Sequence, residues 1–218
     1  DPERCVALDG SPVEPLELPT TEASALRGVT CGGSPSPDFP GARVIGEPLL
    51  DLPGYIELVR ASDDRTLLHL DLKSGPDDDL ELAAEAVLGT WFAADLPQPF
   101  YVSSPHPEVL HAFRSYGASR GHEVRTSLSW PVLDGAIDGL GLELRASLGL
   151  ASVLRAVEAA GADGVALQWE VARREDVRAL RAEGLDVQLW TLDDPRALRA
   201  HAGWPATSLI TDFPGDLP

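Results

Sequence analysis

The feature that most constrains this chain is a strict alternation of short apolar runs with helix-like segments from about residue 42 to the end. The runs are TLLHLDLK (66–73), PFYVSS (99–104), EVRTSLSW (123–130), GVALQW (164–169), LDVQLWT (185–191) and TSLITD (207–212). Between them, apolar residues recur at one-face helical spacing, as in Val109, Leu110, Phe113 and Tyr116, or Leu150, Val153, Leu154 and Val157. Strands apolar along their length, each followed by a helix, predict a parallel sheet covered on both faces. Six such units suit either an open doubly wound sheet or part of an eight-stranded barrel.

Local signals sharpen the boundaries. A helix is expected over Leu52–Ala61. Asp77, Asp78 and Asp79 are expected to cap a helix over Leu80–Ala94, because a helix N-terminus attracts carboxylates. Asp194 followed by Pro195 reads as a cap and first helical residue, and Gly184 as a helix terminator. Residues 1–41 are expected to be irregular, apart from a short helix near Thr20 with Thr21 as its cap, and the stretch Cys31–Gly41 is loop by composition.

At 218 residues a single core domain over 1–218 is expected, with no need for a disulfide or a metal to fold. Cys5 and Cys31 can pair, but two cysteines are a weak framework signal at this length, and free thiols are the expectation. The net charge of −18 argues against nucleic acid as a partner, since phosphate backbones require a basic footprint. No apolar run approaches the ~18 residues of a membrane span, and no signal peptide is visible, so a cytoplasmic location is expected. The chain has no methionine and starts at Asp1, so its natural start is expected to lie upstream.

Polar residues gather at the C-terminal ends of the strands: Asp71 and Lys73, Ser103 and Ser104, Ser127 and Ser129, Gln168, Trp190 and Thr191, and Asp212. In parallel α/β folds ligands sit at that edge. No Gly-rich phosphate loop follows any strand, which weakens a nucleotide-binding reading. Lys73 is the sole lysine, two residues after Asp71 and on the same side of the strand. A compact ammonium there suits a phosphate contact, or a salt bridge to Asp71. His69 has the same parity and is expected to be a packed, hydrogen-bonded histidine. His106 lies near the rim, and no two histidines have metal-ligand spacing such as HExxH. Asp212 is expected to cap the final turn.

Four of these segments, in order, resemble the glycerophosphodiester phosphodiesterase family. HLDLKSG (69–75) is similar to its third strand, VSSPHPEVLHAFR (102–114) to its fourth strand and following helix, GLDVQLWTLDD (184–194) to its seventh, and SLITDFPGDL (208–217) to its eighth. Asp1-Pro2 resembles the end of the family's His-Asp-Pro motif. The resemblance implies a (β/α)8 TIM barrel of the PLC-like phosphodiesterase type, reduced here to about six strand–helix units. It implies a hydrolase that cleaves glycerophosphodiesters to glycerol 3-phosphate and an alcohol, assisted by a divalent ion, Mg2+ or Ca2+. On this alignment Asp71 takes the place of a metal-binding glutamate. Lys73, Gln168 and Trp190 would face the phosphate or substrate, and the family's catalytic histidines would precede Asp1. Two rivals stay open: an inactive barrel that binds a phosphorylated ligand or a protein, and another phosphate-handling barrel, such as an aldolase, using Lys73 as a Schiff-base amine. The oligomeric state is not readable.

Overall fold

A computed structural model of the chain describes residues 5–14, 22–31, 48–61, 66–130 and 149–213. The expected cap at Thr21, most of the Cys31–Gly41 loop and the long connection after Trp130 lie outside these residues. Two compact units divide the chain, Asp1–Ala61 and Ser62–Pro218, whereas the sequence places the change from irregular start to repeats at 41/42.

In the first unit, β1 (Cys5–Ala7) pairs antiparallel with β2 (Val29–Cys31), and a single-turn helix α1 (Ala23–Leu26) lies between them in sequence. Cys5 stands opposite Cys31 in the register, and the two are joined by a disulfide, against the expectation of free thiols. The pairing was hidden because it depends on the ribbon's register, which a Pro/Gly-rich segment does not announce. Helix α2 (Leu52–Arg60) begins at Asp51, whose carboxylate accepts from the Gly54 amide at 2.9 Å. Pro53 fits the first turn, where no amide donor is needed.

The second unit carries the repeats. Its sheet runs β3 (Leu68–Asp71), β4 (Phe100–Ser104), β5 (Arg125–Trp130), β6 (Gly164–Gln168), β7 (Asp186–Trp190) and β8 (Ser208–Leu209). Every neighbouring pair is parallel, and spatial order equals chain order. That order belongs to a barrel and not to a doubly wound sheet, whose strand order reverses partway. The strands form a curled half-barrel, with the helices between successive strands.

After β3, helix α3 (Leu80–Ala84) is capped by Asp79, which accepts from the Leu82 amide at 3.0 Å. It passes through a π segment (Glu85–Gly89) into α4 (Thr90–Ala93), where a plain helix was expected. The Thr90 hydroxyl donates to the Ala86 carbonyl at 2.6 Å, a side-chain bond that competes with the backbone ladder. Then follow α5 (Pro107–Ser119), α6 (Gly149–Ala160), α7 (Arg174–Ala182) and α8 (Pro195–His201). Gly184, at φ +86°, ends α7's turn, and Asp194 caps α8 through the Arg196 amide at 2.9 Å.

The strand registers sort side chains onto two faces. Val102, Leu128, Val165, Leu167, Val187 and Leu189 share the convex face and form the core with Leu110, Phe113, Val157, Val177, Leu180 and Leu198 from the helices. The concave face carries His69, Asp71, Tyr101, Ser103, Ser127, Gln168, Gln188 and Trp190. At the N-terminal end of the strands, Asp186 accepts from Arg125, from Arg181 at 2.8 Å and from Thr207 at 3.3 Å. Asp163 accepts from the Thr126 amide at 2.8 Å and from Arg114 at 3.3 Å. These networks tie strand starts together at the end of a barrel devoted to stability. Among the described residues no helix is long and apolar enough to cross a membrane.

Candidate active site

At the C-terminal end of β3 four side chains form a chain of hydrogen bonds. Lys73 Nζ donates to Asp71 Oδ2 at 2.5 Å. Ser103 Oγ, on the neighbouring strand and directly opposite Asp71, donates to Asp71 Oδ1 at 3.1 Å. His69 Nε2 lies 2.6 Å from the same Ser103 oxygen. Because the single Ser103 proton goes to the carboxylate, His69 is the donor of the last bond, which fixes its Nε2–H form. Burial is the main cause that holds the His69 pKa below its ordinary value. Lys73 adds to this and Asp71 opposes it. The ring stacks on Tyr101 with centroids 4.5 Å apart.

Lys73 and Asp71 reach solvent, with side chains 83% and 43% exposed, while Ser103 beneath them is 1% exposed. The ammonium and carboxylate therefore present themselves to a ligand, and the serine does not. This pair alone contributes little to stability, because an exposed ion pair is screened by water.

Gln168 and Trp190 end β6 and β7 and are register partners. Their relation to Asp71 follows from the stagger of a barrel, about one residue per strand for eight strands with a shear of 8. The stagger is visible lower down. Ser127 on β5 is level in hydrogen-bond register with Asp186 on β7, yet its hydroxyl donates to Gln188, two residues further on, at 2.6 Å. The same walk from Asp71 runs through Ser103, Ser127 and Gly164 to Asp186. Four strands require about four residues of climb, which ends at Trp190. In a barrel of that stagger Asp71 and Trp190 would stand at one height on the concave face, with Gln168 about one residue nearer the rim. The Trp190 indole N–H is buried and finds no acceptor among the described residues.

Other expected residues lie apart from this chain of bonds. His106 occupies the N-cap position of α5, without a side-chain cap bond. The expected cap by Asp212 falls on a turn that runs beyond the described residues. The Asp212 amide donates to the Asp193 carboxylate at 2.8 Å, so Asp193 is the acceptor. Asp78 accepts from the Gly75 amide at 2.8 Å, which with Asp79 accounts for two of the three consecutive aspartates as turn and cap groups. Sequence reasoning missed Ser103 as Asp71's partner. Its only signal was a polar residue at a strand end, and the contact requires the β3–β4 register.

Tyr101 gives the face a measurable signature. Its pKa is pushed up to about 12, foremost by burial and then by the charges of Asp71 and Asp186. An unfolded tyrosine ionises near pH 10. Between about pH 10 and 12 the unfolded chain loses a proton that the folded chain keeps, so Tyr101's contribution is intact below pH 10 and is lost as the pH rises through that window. Denaturation midpoints measured from pH 9 upward should fall more steeply for the wild type than for Tyr101→Phe.

A metal at Asp71 meets a specific test. Both Asp71 oxygens already accept hydrogen bonds, and the described residues contain no group of three His, Cys, Asp or Glu side chains able to hold an ion. Hard divalent ions take six or more oxygen ligands. Among the described residues Asp71 is therefore one possible donor to such an ion, with water or further residues needed to complete its shell.

Comparison with known proteins places the fold. A protein assigned as a glycerophosphoryl diester phosphodiesterase from Silicibacter pomeroyi DSS-3 is 21% identical, with a TM-score of 0.79 over 98% of this chain and 72% of that one. A glycerophosphodiester phosphodiesterase from Parabacteroides distasonis ATCC 8503 is 16% identical, with a TM-score of 0.57 over 78% and 63%. An Oleispira antarctica phosphodiesterase in complex with the product sn-glycerol-3-phosphate is 14% identical, with a TM-score of 0.56 over 89% and 68%. No curated protein matches the chain. The model of the glycerophosphoryl diester phosphodiesterase family matches residues 81–216, which include Ser103, Gln168 and Trp190 but begin after Asp71 and Lys73. With more than half of its length matched, from the helix after β3 through β8, the chain belongs to the glycerophosphoryl diester phosphodiesterase family.

Proposed function

We propose that the whole protein hydrolyses glycerophosphodiesters to glycerol 3-phosphate and an alcohol at the C-terminal rim of the concave face. The observation that carries this reading is the Lys73–Asp71 pair, exposed at the C-terminal end of β3 on the concave face that Trp190 shares. A phosphodiester is an anion, and in a chain of net charge −18 it needs a local cation. Lys73 supplies one as a compact ammonium. Trp190 offers an apolar wall for the glycerol or leaving group, and Gln168 an amide for a hydroxyl. The fold shared with the Oleispira antarctica phosphodiesterase–product complex supports a ligand of this class.

A divalent ion, Mg2+ or Ca2+, belongs to the proposal with Asp71 as one ligand. The remaining ligands would be water or side chains outside the described residues. The cytoplasmic location expected from the sequence stands against the Cys5–Cys31 disulfide, since disulfides persist mainly in oxidising compartments.

The test is release of choline and glycerol 3-phosphate from glycerophosphocholine, before and after chelation. Turnover should vanish with chelator and return with added Mg2+ or Ca2+. Undiminished turnover in chelator removes the ion from the proposal. Binding of glycerol 3-phosphate without turnover would instead favour a non-catalytic, phosphate-binding barrel.

A further inference from the structure

We propose that Ser103 is a positioning residue for Asp71, and that His69, Ser103 and Asp71 act as one hydrogen-bonded unit that aims the carboxylate at the ligand. The inference rests on the phosphodiesterase reading and gives Ser103 and His69 roles that the family resemblance does not assign.

Three observations carry it. Ser103 is 1% exposed, so a ligand at the rim cannot touch it, yet its hydroxyl is spent on the one rim carboxylate of β3. The bond falls between register partners on adjacent strands, so the rigid sheet sets its geometry. His69 closes the other side of the hydroxyl at 2.6 Å and is itself held by stacking on Tyr101.

The consequence for Asp71 is directional. The last torsion of an aspartate is broad, and an exposed carboxylate turns freely. With Oδ1 anchored by Ser103, Oδ2 is left pointing at Lys73 and the solvent beyond it. His69 cannot be replaced by a pure acceptor, because the serine proton is already committed to Asp71. Ser103 therefore works through Asp71, and removing it should matter only while Asp71 is present.

The experiment is a double-mutant cycle on the whole protein with glycerophosphocholine, together with the histidine tautomer read by long-range 1H–15N correlation. Ser103→Ala and the size-matched Ser103→Cys should each lower kcat/KM about tenfold, the scale of one hydrogen bond to a charged group. Both should add little further loss in an Asp71→Ala background, and wild-type His69 should be the Nε2–H form, drifting to a tautomer mixture in Ser103→Ala. Activity of Ser103→Ala within twofold of wild type overturns the proposal, as does an undiminished loss when Asp71 is already alanine. If the wild type does not hydrolyse the diester, the phosphodiesterase reading fails by itself and the spectrum decides. An Nδ1–H form, or a tautomer indifferent to Ser103→Ala, then overturns the unit, and an Nε2–H form that responds sustains it.

Discussion

Replacing Asp71 with alanine is expected to lower kcat/KM toward glycerophosphodiesters by about 10²–10³-fold, the range seen when one preorganised electrostatic group leaves an active site. The variant should fold normally. Lys73 loses its partner, but its side chain is 83% exposed and water replaces the carboxylate at little cost. Ser103 loses an acceptor, and its proton can turn back to His69, which has a second tautomer available. The prediction is thus a dissociation: activity collapses while the thermal midpoint moves by no more than a surface substitution moves it. Asp71→Asn is the sharper comparison. It keeps the shape and can still accept from Ser103, but it places a neutral amide opposite the Lys73 ammonium. A similar loss in both variants assigns the effect to the negative charge. Near-wild-type activity in Asp71→Ala would remove Asp71 from the site.

What the sequence reveals and what it hides divide along one physical line. Features set within a few residues were legible. The apolar runs of β4 and β6, the caps at Asp79 and Asp194, and the terminator Gly184 each depend on local backbone chemistry. So did the shared side of Asp71 and Lys73, which strand parity dictates. Features set by register between distant segments were not. The Ser103–Asp71 bond spans 32 positions and the Ser127–Gln188 bond spans 61. Both require knowing how far one strand slides along the next, which depends on the lengths and shapes of the intervening helices. The Cys5–Cys31 bond is the same case in the first unit. The π segment at Glu85–Gly89 differs: it is a local feature, adjoined by the Thr90–Ala86 bond, but helix patterning by apolar spacing is blind to it. The candidate site was therefore readable as a set of rim residues and not as a bonded unit, because bonding across strands is a property of the sheet.

The convex face supplies the second large effect. Phe113→Ala should reduce the unfolding free energy by about 3–5 kcal/mol. Among the described residues Phe113 is the largest of the fully buried side chains, at 0% exposure, on α5 between the apolar faces of the sheet and the neighbouring helices. The alanine leaves a cavity that cannot collapse easily. On the same helix Gly117 already meets Val124 so closely that an added Cβ would lie 2.4 Å from its Cγ2, and that seam has no slack to move inward. The loss is a large share of the ~5–15 kcal/mol that holds a typical domain folded, so the variant should unfold at much lower denaturant with an unchanged slope. Phe113→Leu, which refills most of the volume, should cost much less. Leu82, 61% exposed two residues into α3, is the internal control, and its alanine variant should stay within ~0.5 kcal/mol of wild type. If Phe113→Ala cost no more than Leu82→Ala, the core would not lie between this helix and the convex face. The concave face would then have to hold the apolar interior, and a polar catalytic rim could not sit there.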